Sequence, residues 1–206
     1  SQYLAAAGVG CLTLVDDDVV DRTNLQRQIL HTEQQLGINK TASAKRSLSQ
    51  INSEITILTI EQRLDDAALK EQIASHDLVL DCTDNLATRK QLNQYCFETK
   101  TPLISGAAIR FEGQVSTYTM DEHTPCYECV SHIFGEQTLT CSEAGVLSPV
   151  VGVVGSLQAA EALKVITAVG QPLRAKLLLI DIATMEFKPF SITKNPTCNT
   201  CSEKTT

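Results

Sequence analysis

The chain has 206 residues, with a hydrophobic fraction of 43% and a charged fraction of 20%, which fits one sizeable globular α/β domain. Its net charge of −7 argues against a nucleic-acid groove, which needs a basic surface. The apolar run over 146–154 is broken by Pro149 and Gly152 and is too short to span a membrane.

In chain order, residues 1–8 read as the end of a helix with Gly8 as its stop, and no initiator Met precedes them. An upstream segment is therefore expected outside this chain, and no targeting signal is readable. Residues 11–15 read as a buried strand ending in Asp16-Asp17-Asp18. In dinucleotide-binding folds an acid at such a strand end binds ribose hydroxyls. A solvated acidic turn is the plainer alternative. The usual companion, a glycine-rich phosphate loop, is not in the chain.

Asn24-Leu25-Gln26-Arg27-Gln28 and Gly37-Ile38-Asn39-Lys40 follow. Arg27 and Lys40 are cations near the acidic turn, suited to neutralising phosphate oxygens. Lys40 also opens a helix carrying Ala44, Leu48 and Ile51 on one face. A cation there opposes the helix dipole, and that cost favours a ligand role.

Residues 55–60 read as a strand, 65–74 as a helix and 77–81 as a strand. That last strand runs into Asp81-Cys82-Thr83-Asp84-Asn85 and a helix over 86–98. Ligands of open α/β sheets bind at the carboxyl ends of strands, so the carboxylates of this stretch are well placed for one. Asp84 and Asn85 equally suit a helix N-cap. A strand over 103–105 completes a repeated β-α order, which predicts a mostly parallel sheet covered by helices.

The pattern then changes. Residues 109–119 read as a longer strand with a turn or bulge at Glu112-Gly113. Residues 121–147 are polar and irregular. A helix is expected from Pro149 to about Val169, and its small face of Gly152, Gly155, Ser156, Ala159 and Ala160 suits close approach to another element. Strands over 176–180 and 185–192 form an antiparallel extension. There is no internal repeat or low-complexity linker, so residues 1–206 are read as one domain.

Cys11, Cys82 and Cys96 lie inside apolar elements, where reduced Cys behaves as a small hydrophobe. Cys126-Tyr-Glu-Cys129 and Cys198-Asn-Thr-Cys201 have the spacing of two zinc knuckles. Together they complete a closed, structural four-thiolate site. Two disulfides or two redox motifs are the alternatives, although redox Cys-x-x-Cys motifs sit near a βαβ pattern at helix starts and these are expected in polar loops. Cys141 stands outside both pairs, either a nucleophile or merely exposed.

These residues, in this order, resemble the MoeB and ThiF branch of the ubiquitin-activating-enzyme-like adenylyltransferases. The resemblance rests on Asp16-x-Asp18, Asn24 to Gln28, Lys40, Asp81 to Asn85 and both cysteine pairs, and it spans essentially the whole chain. Ser105-Gly106-Ala107-Ala108-Ile109-Arg110 and Phe134-Gly135-Glu136 look more like the MoeB side. It implies a Rossmann-like α/β adenylation domain whose first strand and glycine-rich loop are missing here, so the domain is N-terminally truncated.

The implied reaction is ATP-dependent adenylation of the C-terminal glycine of a small ubiquitin-like sulfur carrier, MoaD- or ThiS-like, in molybdenum cofactor biosynthesis. By position, Asp16 would hold the ribose, while Asn24, Arg27 and Lys40 would hold the phosphates. Asp84 would hold Mg²⁺, with Asn85 beside it in the ATP site. Arg27, Lys40 and Asp84 would carry the catalysis. Cys126, Cys129, Cys198 and Cys201 would hold one structural zinc, and Cys141 occupies the position of the thioester or persulfide-linked cysteine of some relatives.

The same resemblance implies a cytoplasmic homodimer in which an arginine from the neighbouring subunit enters the site. It also implies a separate sulfur donor, either a cysteine desulfurase or a sulfurtransferase. Activation of the thiamine-pathway carrier, a non-catalytic carrier-binding module and an NAD-dependent oxidoreductase are the other readings.

Overall fold

The computed structural model describes residues 1–131 and 144–202. The chain forms two compact units, Ser1–Asp65 and Asp66–Thr206.

In the first unit, helix α1 (Gln2–Ala6) ends ahead of Gly8, whose φ of 81° is the left-handed turn expected of it. Strand β1 (Cys11–Val15) pairs in parallel with β2 (Thr56–Ile60), Cys11 opposite Thr56 and Val15 opposite Ile60. Between them runs helix α2 (Lys40–Ile51), started by Asn39, whose Oδ1 accepts from Thr41 N at 2.8 Å. Leu4, Leu12, Val20, Ala44, Leu48 and Ile57 are buried. Ile51, expected on the apolar face, is exposed instead, because it is the last residue of the helix.

The second unit holds a five-stranded sheet in sequence order: β3 (Val79–Asp81), β4 (Leu103–Ile109), β5 (Glu112–Tyr118), β6 (Lys176–Asp181) and β7 (Glu186–Ser191). Only β3 and β4 pair in parallel; β4–β5, β5–β6 and β6–β7 are antiparallel. The sheet is therefore mixed, and its antiparallel part is larger than the β-α repeat suggested. Helices α3 (Asp66–Ala74) and α4 (Leu86–Thr99) lie side by side, and Ile73, Leu92, Cys96, Leu103 and Tyr118 share one core. A second core joins Val115, Val150, Val154 and Ile180.

Three expectations change here. First, β4 does not stop at Ser105. It continues through Gly106-Ala107-Ala108 to Ile109 and turns into β5 at Arg110-Phe111, not at Glu112-Gly113. Arg110 takes a φ of 51°, the kind of backbone a two-residue hairpin loop requires.

Second, the long helix α6 (Ser148–Thr167) buries Val150, Val154, Gln158, Ala159, Glu161 and Ala162. A Cβ added at Gly152 or Gly155 would meet nothing within 4 Å among the described residues, and of the small face only Ala159 is buried. By length and composition α6 is the one described helix apolar enough to cross a membrane. It contacts β4 and β5, and buried Glu161 accepts from Thr117 Oγ1 and Leu173 N, both at 2.6 Å.

Third, a short helix α5 (Tyr127–Ser131) starts directly after Cys126, so that cysteine pair is not in a loop. Cys96 is buried as expected, but Cys11 and Cys82 are exposed at the start of β1 and just past the end of β3.

Candidate functional site

In the first unit, the acidic turn after β1 is tied to the start of α2. Asp16 is half-buried and its Oδ1 accepts from Asp18 N at 2.9 Å. Asn39 donates to Asp16 O at 3.2 Å while it caps α2. Lys40 Nζ pairs with Asp18 Oδ2 at 2.7 Å, with the lysine side chain only 12% exposed. The cation that opposes the helix dipole thus has an internal carboxylate partner. Burial pushes the Asp16 carboxyl above its usual range, and the Asp18 N–H and the Lys40 charge pull it partly back. Asn24 closes a short 3-10 turn that Asp21 caps, and Arg27 Nη1 donates to Thr23 O at 3.0 Å. Asp16, Asp18 and Lys40 come together; Arg27 turns Nη1 to the backbone of its own turn.

In the second unit, the stretch from Asp81 to Asn85 divides its labour. Asp81 is 1% exposed, at the end of β3. Its Oδ1 accepts from Thr83 N at 3.0 Å and Thr83 Oγ1 at 2.7 Å, and its Oδ2 accepts from Ser105 Oγ at 2.9 Å. The Arg89 Nε lies 3.9 Å from that carboxylate, and Arg89 also donates twice to Thr83 O. Gln158, from α6, donates to Asp81 O at 2.8 Å. Gly106 leaves the room for it: a Cβ there would sit 2.3 Å from Gln158 Cδ.

Asn85 is the helix cap, its Oδ1 accepting from Thr88 N at 2.9 Å. Asp84 takes no part in the cap and is exposed. The buried acid fixes the turn, the amide caps the helix, and the carboxylate of Asp84 stays exposed. The sequence does not separate these roles: Asp81 stands out only as part of the stretch, Arg89 and Gln158 not at all, and the strand register, with Asp81 beside Ser105, identifies the buried acid.

Cys126, Cys129, Cys198 and Cys201 converge, all of them buried. Their sulfurs lie 4.0 Å (126–129), 3.7 Å (126–198) and 3.4 Å (129–201) apart, and all four are free thiols. Thiolates around a tetrahedral zinc with bonds of about 2.3 Å would stand about 3.8 Å apart, so the donor set fits zinc. It does not fit two disulfides, whose sulfurs bond at about 2.05 Å. The Cys129 thiol is pulled down by hydrogen bonding from Cys126, and Cys126 is pushed up by that same bond and by burial. Four buried thiols cannot all ionise unaided; a divalent cation removes that conflict. Cys141 lies outside the described residues, as does Phe134-Gly135-Glu136.

The ThiF family model matches residues 1–200. A molybdopterin-synthase adenylyltransferase of Salmonella typhimurium is 52% identical over 203 residues, which are 98% of this chain and 82% of that protein. The Escherichia coli protein of the same name is 51% identical over equal shares of the two chains. Among solved structures, Escherichia coli MccB with ATP superposes with a TM-score of 0.83 at 27% identity, covering 97% of this chain. The chain spans about three fifths of that protein, 61% of its length. A match that runs through both units, from the acidic turn to the last cysteine pair but one residue, places this chain in the ThiF family.

Proposed function

We propose that this protein adenylates the C-terminal glycine of a small ubiquitin-like sulfur carrier in molybdenum cofactor biosynthesis. The observation that carries this reading is the 52% identity to a molybdopterin-synthase adenylyltransferase across 98% of the chain. A carboxylate oxygen of the carrier attacks the α-phosphorus of ATP. The bond from that phosphorus to the β-phosphate bridging oxygen breaks, and pyrophosphate leaves. No proton moves and no protein nucleophile is used. The protein's task is positioning and charge neutralisation.

In this reading Asp16 holds the ribose, Asn24, Arg27 and Lys40 hold phosphate oxygens, and Asp84, with Asn85 beside it, serves the metal end. For Lys40 and Arg27 this means exchanging their present partners, Asp18 and Thr23 O, for phosphate. Bound Mg²⁺ would offset the triphosphate charge as pyrophosphate departs. The exposure of Asp84 and the transfer of capping to Asn85 support the metal role. One zinc held by Cys126, Cys129, Cys198 and Cys201 is structural, since four thiolates leave no open position. Both units belong to one adenylation domain of a cytoplasmic homodimer, with sulfur supplied by a separate donor protein.

The test is the intact mass of a purified carrier after incubation with ATP, Mg²⁺ and this protein. The carrier should gain one adenylyl group, and a carrier lacking its terminal glycine should gain none. A carrier unchanged in mass, with ATP intact, would refute the proposal.

A further inference from the structure

One face of α4 carries three polar residues at four-residue intervals: Asn85, Arg89 and Asn93. Asn85 caps the helix and Arg89 holds the Asp81–Thr83 turn. Asn93 is completely buried, which for an amide demands that its groups be paired. Its Oδ1 accepts from Tyr127 N at 2.8 Å, at the start of α5. Its Nδ2 points the other way, at Cys126 Sγ, 3.5 Å away. That is an ordinary length for an N–H···S hydrogen bond. A backbone donor reaches the second knuckle cysteine in the same manner, from Asn195 N to Cys129 Sγ at 3.4 Å.

We propose that Asn93 is a positioning residue of the four-cysteine centre, orienting and stabilising the Cys126 thiolate for the metal. The argument rests on the zinc reading given above. A neutral amide donor is well suited to this place. It stabilises negative charge on sulfur without adding a charge of its own to a buried site. The side chain is fixed from both ends, by Tyr127 N on its oxygen and by the thiolate on its nitrogen. Because Asn93 shares a helix face with Arg89, the metal centre and the Asp84-bearing turn hang on one rigid element.

A purely structural Asn93 would need only its oxygen. Asn93→Asp keeps an acceptor for Tyr127 N and removes the N–H donor to sulfur, and Asn93→Leu, which removes the donor without adding a charge, controls for the carboxylate's own repulsion and should also release zinc faster than wild type. The experiment measures metal content, then zinc release to a chromophoric chelator, in folded full-length protein with circular dichroism as control. Loss of an outer-shell partner typically costs about 10- to 100-fold in metal affinity, so release from Asn93→Asp should be faster by about that factor. The cobalt-substituted variant should also show a shifted sulfur-to-metal charge-transfer band.

Should Asn93→Asp fail to fold, the wild-type protein decides. Loaded with an NMR-active cadmium isotope, it should show scalar coupling from the metal to the Asn93 side-chain amide protons, passed through Cys126 sulfur. Wild-type release kinetics and an unshifted band in a folded variant would overturn the inference. So would absence of that coupling. A wild-type protein that binds no metal at all would instead fail the zinc reading itself, and the inference with it.

Discussion

Replacing Asp84 by Asn tests the metal role against a purely structural one. The structure sets the expected stability change, since Asn85 supplies the cap and Asp84 is exposed. An exposed substitution away from such features changes stability within about 0.5 kcal/mol. Asn85→Ala, by contrast, removes the hydrogen bond to Thr88 N and should cost about 1 kcal/mol. The catalytic scale is different. Losing a carboxylate ligand of the Mg²⁺ that would offset the negative charge developing on pyrophosphate costs about 3 kcal/mol, which is roughly a hundredfold in rate. The assay is carrier-dependent adenylation across a magnesium titration, with urea unfolding as the stability control. Asp84→Asn should unfold like wild type and adenylate about a hundredfold more slowly. A variant of wild-type rate at every magnesium concentration would refute the metal role.

Four other outcomes follow from the same contacts. Elemental analysis should find one zinc per chain in wild type, and Cys198→Ser should lose it and melt at a lower temperature; a full-strength melt without zinc would contradict the site. Asp81→Ala leaves Arg89 buried without its carboxylate and strips the acceptors of Thr83 and Ser105, so urea unfolding should show a loss of about 3 kcal/mol or more. Gly106→Ala would push a methyl into Gln158 and break its bond to Asp81 O, at about 1–3 kcal/mol by the same measurement. Cys141→Ala should retain carrier adenylation, because the reaction uses no protein nucleophile; loss of the adenylated carrier in a folded variant would contradict that chemistry.

Much of this arrangement was legible in the sequence because single strong signals carried it. The apolar run over 11–15 bounded by three acids reads as a short strand and its turn, and β1 occupies those residues, although only Leu12 of the five is buried and Cys11 and Val15 are exposed. Two Cys-x-x-Cys pairs have the spacing of a shared four-thiolate site, and the sulfurs converge. The failures have physical causes too. Gly106-Ala107-Ala108 lacks the β-branched residues that mark a strand, yet it is held by pairing with Gly113, Gln114 and Val115 on one side and by Gln158 on the other.

The packing face of α6 was legible only in part: Ala159 lies in it, while Gly152, Gly155 and Ala160 are exposed. The residues buried there include Gln158 and Glu161, polar groups whose partners lie far away in sequence. The stretch from Asp81 to Asn85 contains two acids and an amide of similar chemistry. Local propensity gives no means of telling the acid that faces Ser105 from the one that faces solvent.

In the proposed reaction the chain activates a carrier carboxylate as its adenylate, reversibly and with release of pyrophosphate. The measurement closest to it is exchange of labelled pyrophosphate into ATP by the full-length protein, with and without the carrier. The account predicts exchange that requires the carrier and its terminal glycine carboxylate and that falls about a hundredfold in Asp84→Asn. Exchange independent of the carrier, or none in a zinc-loaded, folded protein supplied with its carrier, would contradict it.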